Sequence, residues 1–193
     1  KTTVDRTFNR IVVDGDTSTN DMVVALANGE SGVKPLLPGT QGYKQFAHHL
    51  EKVLKELAIA IVRDGEGATK LVEITVEGAR SNTDAVKAAK AVALSPLVKT
   101  AIHGEDANWG RIIAAVGYSG IEFEPALCEI TINGANILCK NYVVPLSNQE
   151  ANRSLRGDFV DLRVSLHCGE GRATVWTCDF SEQYVVINGS YRS

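Results

Sequence analysis

The sequence predicts an α/β (α+β) fold, on three observations. Apolar residues recur at helical spacing from Gln45 to Val62, and Ser81-Asn82-Thr83-Asp84 opens an Ala- and Lys-rich run to Leu94. Apolar and polar residues alternate in Leu71–Val76 and again through Val160, Leu162, Val164 and Leu166. Beyond Gly120 the pattern turns to strands, with Asn133-Gly134-Ala135 between Ile130-Thr131-Ile132 and Asn136-Ile137-Leu138 as a hairpin signal. The change divides the chain into an α/β part, residues 1–120, and a C-terminal α+β lobe, residues 121–193.

The hydrophobic fraction of 44% in 193 residues is enough for a real core and argues against disorder. A formal charge of −3 and no basic cluster exclude nucleic acid as the expected partner. No apolar run approaches the ~18 residues that span a bilayer, and no signal peptide is visible. Cys128, Cys139, Cys168 and Cys178 form no C-x-x-C pair and have no His at zinc-finger spacing. They read as buried free thiols in a reducing cytoplasm, with a Cys128–Cys139 bridge across the hairpin as the alternative. Nothing signals a metal or a cofactor.

Taken in order, Val4, Phe8 and Ile11 suggest the last turns of a helix through Arg10. Two turns are marginal alone, which points to further residues before Lys1. Glu30 to Tyr43, with Pro35, Pro38 and three glycines, is a loop. Phe46, Leu50, Val53, Leu54, Leu57 and Ile61 mark one face of the helix that follows. His48 and His49 are adjacent and point about 100° apart, so they do not chelate together. Pro96 ends the Ser81–Leu94 helix, and Leu97 to Ile102 reads as a short extended segment. Asp106 or Asn108 caps an Arg111–Val116 helix, with Trp109 packed beneath. Backbone amides at that helix start also offer a place for an anion. Ser147 and Glu150 fit a capping box for a helix to about Leu155. Gly169-Glu170-Gly171 turns the chain into the strand Ala173–Thr177, and Ser181 caps a single turn before Tyr184–Ile187.

Two polar stretches are candidates for function. Asp14-Gly15-Asp16-Thr17-Ser18-Thr19-Asn20-Asp21 sits between the apolar runs Ile11–Val13 and Met22–Ala27. Its short polar side chains bond nearby amides, so it reads as a self-capped loop in which Asp14, Asp16 and Asp21 are structural. It is no EF-hand: the required Gly falls on Thr19 and the bidentate Glu on Ala25. Asp64-Gly65-Glu66-Gly67 places a carboxylate between two glycines at a helix exit. Glycines let the backbone turn and approach a ligand closely, though a C-cap with a turn explains them equally well. The Gly-Lys-Ser/Thr ending of a P-loop is absent. His103 beside Glu105 is a weak base candidate, with no nucleophile placed beside it.

The run Val13–Asp21 with Ala27-Asn28-Gly29 closely resembles the ornithine acetyltransferase family of arginine biosynthesis. So do Asp64–Lys70, Leu97-Val98-Lys99-Thr100-Ala101, Asp106-Ala107-Asn108-Trp109-Gly110-Arg111 and the tail Asn188–Ser193. The motifs stand in the family's order across nearly the whole chain. The resemblance implies a self-processing acetyltransferase fold, with helices packed on mixed β-sheets. It implies a precursor that cuts itself before a threonine, which becomes both the β-chain N-terminus and the acetyl-carrying nucleophile. The chain then corresponds to most of the β chain. Thr2 and Thr3 are poor candidates for the nucleophile, since the family's opens an apolar strand and here Val4-Asp5-Arg6 follows. The catalytic Thr is therefore expected upstream. The resemblance further implies that Glu66, Asn188 and Ser193 bind substrate, near a structural loop with Asp14, Asp16, Asp21 and Asn108. Implied partners are an α chain from the same precursor in an α2β2 heterotetramer, with N-acetylornithine and glutamate as small molecules. Use of acetyl-CoA stays open. A related self-processing aminopeptidase subunit and a non-catalytic partner domain are the alternatives.

Overall fold

The computed structural model describes residues 1–191. α1 (Thr2–Arg6) and a 3-10 turn, Phe8–Arg10, lead into β1 (Ile11–Val12). A continuous helix to Arg10 was the expectation; it breaks at Thr7, which has left helical dihedrals while its hydroxyl donates to Thr3 O at 2.8 Å. Residues 13–40 form no helix or strand. α2 (Gln41–Arg63) starts earlier than its apolar periodicity, because Thr40 caps it by accepting from Tyr43 N. After β2 (Leu71–Ala79), Ser81 caps α3 (Asn82–Leu94) by accepting from Asp84 N.

Leu97–Ile102 is not extended. It lies in α4 (Pro96–His103), which Ser95 caps by accepting from Val98 N. Pro96 holds the first helical position, where its missing N–H leaves no bond unmade, so one proline closes α3 and opens α4. Asn108 caps α5 (Trp109–Gly117). β3 (Glu129–Ile132) and β4 (Ala135–Leu138) turn through Asn133 at φ 47° and Gly134 at φ 80°, the left-handed pair a two-residue hairpin needs. The capping box of Ser147 and Glu150 opens α6 (Asn148–Arg153). β5 (Phe159–Ser165) and β6 (Gly171–Cys178) follow. Tyr184–Ile187 does not leave the Ser181 cap as a separate segment; it continues in α7 (Glu182–Ser190).

All strands join one mixed sheet in the order β1-β6-β2-β5-β3-β4. β2 runs parallel to β5 and antiparallel to β6, with Ile74 opposite both Leu162 and Val175. A strand from before residue 120 is thus enclosed by two from after it. Val72, Ile74, Val76, Val160, Leu162, Val164 and Val175 fill one face. Against them lie Ala85, Ala88, Ala89, Val92 and Ala93 of α3, small enough to bring the helix close. The opposite face carries Glu73, Thr75 and Thr174, and at its β6 end Trp176 and Cys178 join Val62 of α2 in a second small core.

α2 departs from the usual amphipathic plan. Ala58 and Val62 are buried, yet the predicted stripe points outward: Phe46 is 55% exposed, Leu57 52% and Ile61 48%. The preceding segment also presents Met22, Leu26, Val33 and Leu37 to solvent. No helix among the described residues is long and apolar enough to cross a membrane.

The four cysteines are free, and Cys128 and Cys139 do not pair. Burial, with Glu129 adding its charge, pushes the Cys128 thiol up to about 12. Iodoacetamide at pH 8 should therefore leave Cys128 unlabelled in the folded protein, while half-buried Cys139 reacts, and guanidinium should release Cys128. Peptide mass mapping reads this directly; native labelling of Cys128 would contradict the packing around it.

Candidate functional site

The site is built where α2 ends. Asp64 N donates to Ala60 O and Gly65 N to Val62 O, closing the helix, and Ala68 N donates to Gly65 O to complete the turn that carries Glu66. Space is tight at Gly65 and excludes a side chain at Gly67. A Cβ on Gly65 would stand 3.1 Å from Cys178 Sγ and 3.3 Å from Val13 Cγ1. Gly67 has φ +69°, and a Cβ there would lie 2.6 Å from Tyr184 N. The first turn of α7 therefore rests directly on this loop. Ser181 fixes the contact: its hydroxyl donates to Gly67 O at 2.6 Å while accepting from Gln183 N at the start of α7.

This docking brings together two of the residues that the sequence singles out. Asn188 Nδ2 on α7 donates to Glu66 Oε2 at 2.5 Å and to Tyr184 O at 3.0 Å. Both side chains face solvent, where a ligand can reach them. Ser193, the third such residue, lies outside the described residues. The polar loop reaches the same place through Asp14. Its Oδ2 accepts from the Tyr184 hydroxyl at 3.1 Å and its Oδ1 from Asp16 N at 2.9 Å. Asp21 accepts from Ser18 N and Oγ, which holds its carboxyl below the usual range. Burial, the charge and hydrogen bond of Asp14, and the charges of Asp16 and Glu66 push the Tyr184 phenol up, so it stays a neutral donor. Asn108 has a structural place: it accepts from Arg111 N at 3.2 Å as the cap of α5 and donates to Asp106.

Asp179 and Lys99, to which the sequence reading assigned no role, bond residues next to this loop, together with His103. Asp179 is buried at the end of β6. It accepts from Thr69 N and Lys70 N, both at 2.8 Å, from Thr69 Oγ1 at 2.5 Å, and bonds His103 Nδ1 at 2.8 Å. Burial pushes this carboxyl up, but the bonds from Thr69, His103 and Lys70 outweigh it and hold it below the usual range. Glu105, two residues after His103, pairs instead with Lys70 Nζ at 3.1 Å. Thr69 and His103 do not form a nucleophile–base pair, since both bond the same carboxylate and the imidazole does not stand between hydroxyl and acid. Lys99 is fully buried. Its ammonium donates to Thr177 Oγ1 at 2.8 Å and to Cys178 O, and lies 4.4 Å from the centre of the Phe180 ring, which stacks on Tyr184. Burial pushes this lysine down, opposed by Cys178, Asp179 and Asp14. An Asp closing an apolar strand and a Lys inside an apolar helical run were the available signals.

Carboxylates, a neutral phenol and an amide gathered at a glycine turn suit recognition of a small cationic group more than covalent chemistry. Fold and cluster together define an α/β domain with an exposed acidic cluster at a glycine turn. Residues 1–193 match the ArgJ family throughout, and the chain belongs to that family. It is 51% identical over 189 residues to the arginine biosynthesis bifunctional protein ArgJ of Symbiobacterium thermophilum, covering 98% of this chain and 47% of that protein. The protein of the same name from Chlorobium chlorochromatii is 52% identical over 188 residues, covering 97% and 43%. The chain thus spans about half the length of the curated relatives it matches. A crystal structure of the arginine biosynthesis bifunctional protein argJ from Bacillus halodurans superposes with a TM-score of 0.94 at 45% identity, over 98% of this chain and 90% of that one.

The loop geometry carries a direct test. Gly67→Ala should cost at least ~1–2 kcal/mol, from the left-handed backbone alone, and lower the melting temperature by several degrees. Gly117→Ala, in α5 with open space around its Cβ position, should be neutral or slightly stabilising. Equal melting temperatures for the two variants would mean that α7 does not rest on the loop.

Proposed function

We propose that this chain is the β-chain portion of a glutamate N-acetyltransferase, moving acetyl from N2-acetylornithine to glutamate in the cytoplasm. Its nucleophile is the hydroxyl of a threonine upstream of Lys1. That oxygen attacks the acetyl carbonyl, the C–N bond breaks, and ornithine leaves with its amine protonated. The amine of glutamate then attacks the acetyl-threonine ester and restores the hydroxyl. Both steps pass through an oxyanion that needs preorganised donors, contributed by the α chain. Acetyl-CoA serves as a second acetyl donor, in line with the name "bifunctional" borne by the relatives.

The observation that carries the reading is the Glu66–Asn188 pair on its glycine turn. An ionised Glu at an exposed turn suits an ornithine ammonium, with Asn188 and Ser193 on the neighbouring polar groups. Asp14, Asp16 and Asp21 shape the adjoining loop. Residues 1–120 complete the catalytic core with the α chain, and 121–193 bring the substrate-binding tail. Family membership favours this over a related aminopeptidase subunit.

A second chain is supported by two facts. The chain matches about half of each curated relative but 90% of a solved chain of the family. In addition, the outward stripe of α2 and the apolar segment from Met22 to Leu37 have nothing to bury them here. The α chain of the same precursor covers that surface, and two such pairs form an α2β2 heterotetramer.

In the complete enzyme, Glu66→Gln keeps shape and removes charge. A charge-assisted hydrogen bond contributes roughly 1.5–3 kcal/mol, so kcat/KM for acetylornithine should fall about ten- to a hundredfold. Self-cleavage, which involves no ornithine, should persist on a gel. Unchanged kinetics would remove Glu66 from the site. Residues 1–193 alone should catalyse no ornithine-dependent transfer; measurable turnover would place the nucleophile within this chain.

A further inference from the structure

We propose that Asp179 is a positioning residue for the ammonium subsite, one buried carboxylate that holds the Glu66 loop and the start of α7 in a single frame. The inference rests on the reading of Glu66 and Asn188 as that subsite. On the loop side, Asp179 Oδ1 takes the consecutive amides of Thr69 and Lys70, and Oδ2 takes the Thr69 hydroxyl. Thr69 lies just beyond the turn that Ala68 N and Gly65 O close, so those bonds fix where Glu66 is presented. On the helix side, His103 Nδ1 bonds Oδ2, and His103 Nε2 lies 3.4 Å from Glu182, the first residue of the helix that carries Asn188. Ser181, two residues after Asp179, ties its hydroxyl to Gly67 O.

The side chain fits this work for a chemical reason. A carboxylate accepts at both oxygens, about four sites in all, and here each oxygen meets two partners. An amide turned one way would set donors against the Thr69 and Lys70 amides; turned the other way it would keep those bonds, but would force Thr69 Oγ1 and His103 Nδ1 to accept and would remove the charge that strengthens all four. A carboxylate with no solvent exposure that merely satisfied its own burial would not need to span two elements. Asp179 joins the two that present Glu66 and Asn188, and touches neither of those side chains.

The test uses the complete two-chain enzyme. Asp179→Asn should raise KM for acetylornithine about tenfold or more while kcat changes less than about threefold, the pattern of lost ground-state binding. Thr69→Val removes one donor at an exposed position and keeps the volume; it should raise KM about threefold by the same route. Since Asp179 acts through Glu66, adding Asp179→Asn to Glu66→Gln should cost less than about twofold more, a non-additive cycle. A full multiplicative loss in the double variant marks a general structural defect and overturns the proposal. If Glu66→Gln leaves KM unchanged, the reading of the subsite itself fails. If Glu66→Gln raises KM but Asp179→Asn and Thr69→Val do not, the positioning role alone fails. Should Asp179→Asn not assemble, Thr69→Val and His103→Gln decide the matter, and normal KM values in both overturn it.

Discussion

The contact on which the rest of the site depends is between two backbones. Gly67 lies so close to the first turn of α7 that no side chain fits between them. Everything local follows from that approach. Ser181 can cap its helix and bond the loop with one hydroxyl. Tyr184 is brought to Asp14, and Asn188 meets Glu66 across 122 residues of sequence. Such a contact gains little by itself, since burying bare backbone requires each polar group to find a partner. The partners come from Asp179 and Ser181. The sheet supplies the rigidity, because Asp179 directly follows β6, which pairs with central β2.

The two stripes of α2 describe a helix with two obligations. One stripe, through Val62 and partly buried Ile59, joins the small core on the polar side of the sheet. The other is as apolar and faces out. Monomeric proteins rarely leave contiguous apolar patches of this kind uncovered. Because α2 ends in the loop that carries Glu66, whatever covers the outer stripe also bears on the orientation of that loop.

What the sequence made legible was what local chemistry decides. The Ser81 cap, the Asn133-Gly134 turn, the capping box at Ser147 and the alternation through Val160–Leu166 each involve neighbours within a few residues. Where reading failed, the deciding partner was ambiguous or distant. Pro96 reads equally as a stop and as a start, and Ser95 settled it by capping α4. The end of α7 is rich in Asn, Gly and Ser, poor helix formers that tertiary docking overrides. Periodicity could place Phe46, Leu57 and Ile61 on one face but not say which way that face points. Glu66 and Asn188 came from motif resemblance, and their meeting needed the fold. Asp179 showed only as an Asp closing an apolar strand, and its partners Thr69 and His103 lie too far away in sequence to give that a meaning.

The strand order has a consequence for how the chain is made. Central β2 emerges early, yet its neighbours β5 and β6 are among the last strands synthesised. The sheet cannot close until almost the whole chain has left the ribosome. Non-local pairings of this kind carry the loop-closure entropy that slows folding. Until then Val72, Ile74 and Val76 lack both neighbouring strands, so a nascent chain that ends near residue 150 is the form most in need of a chaperone.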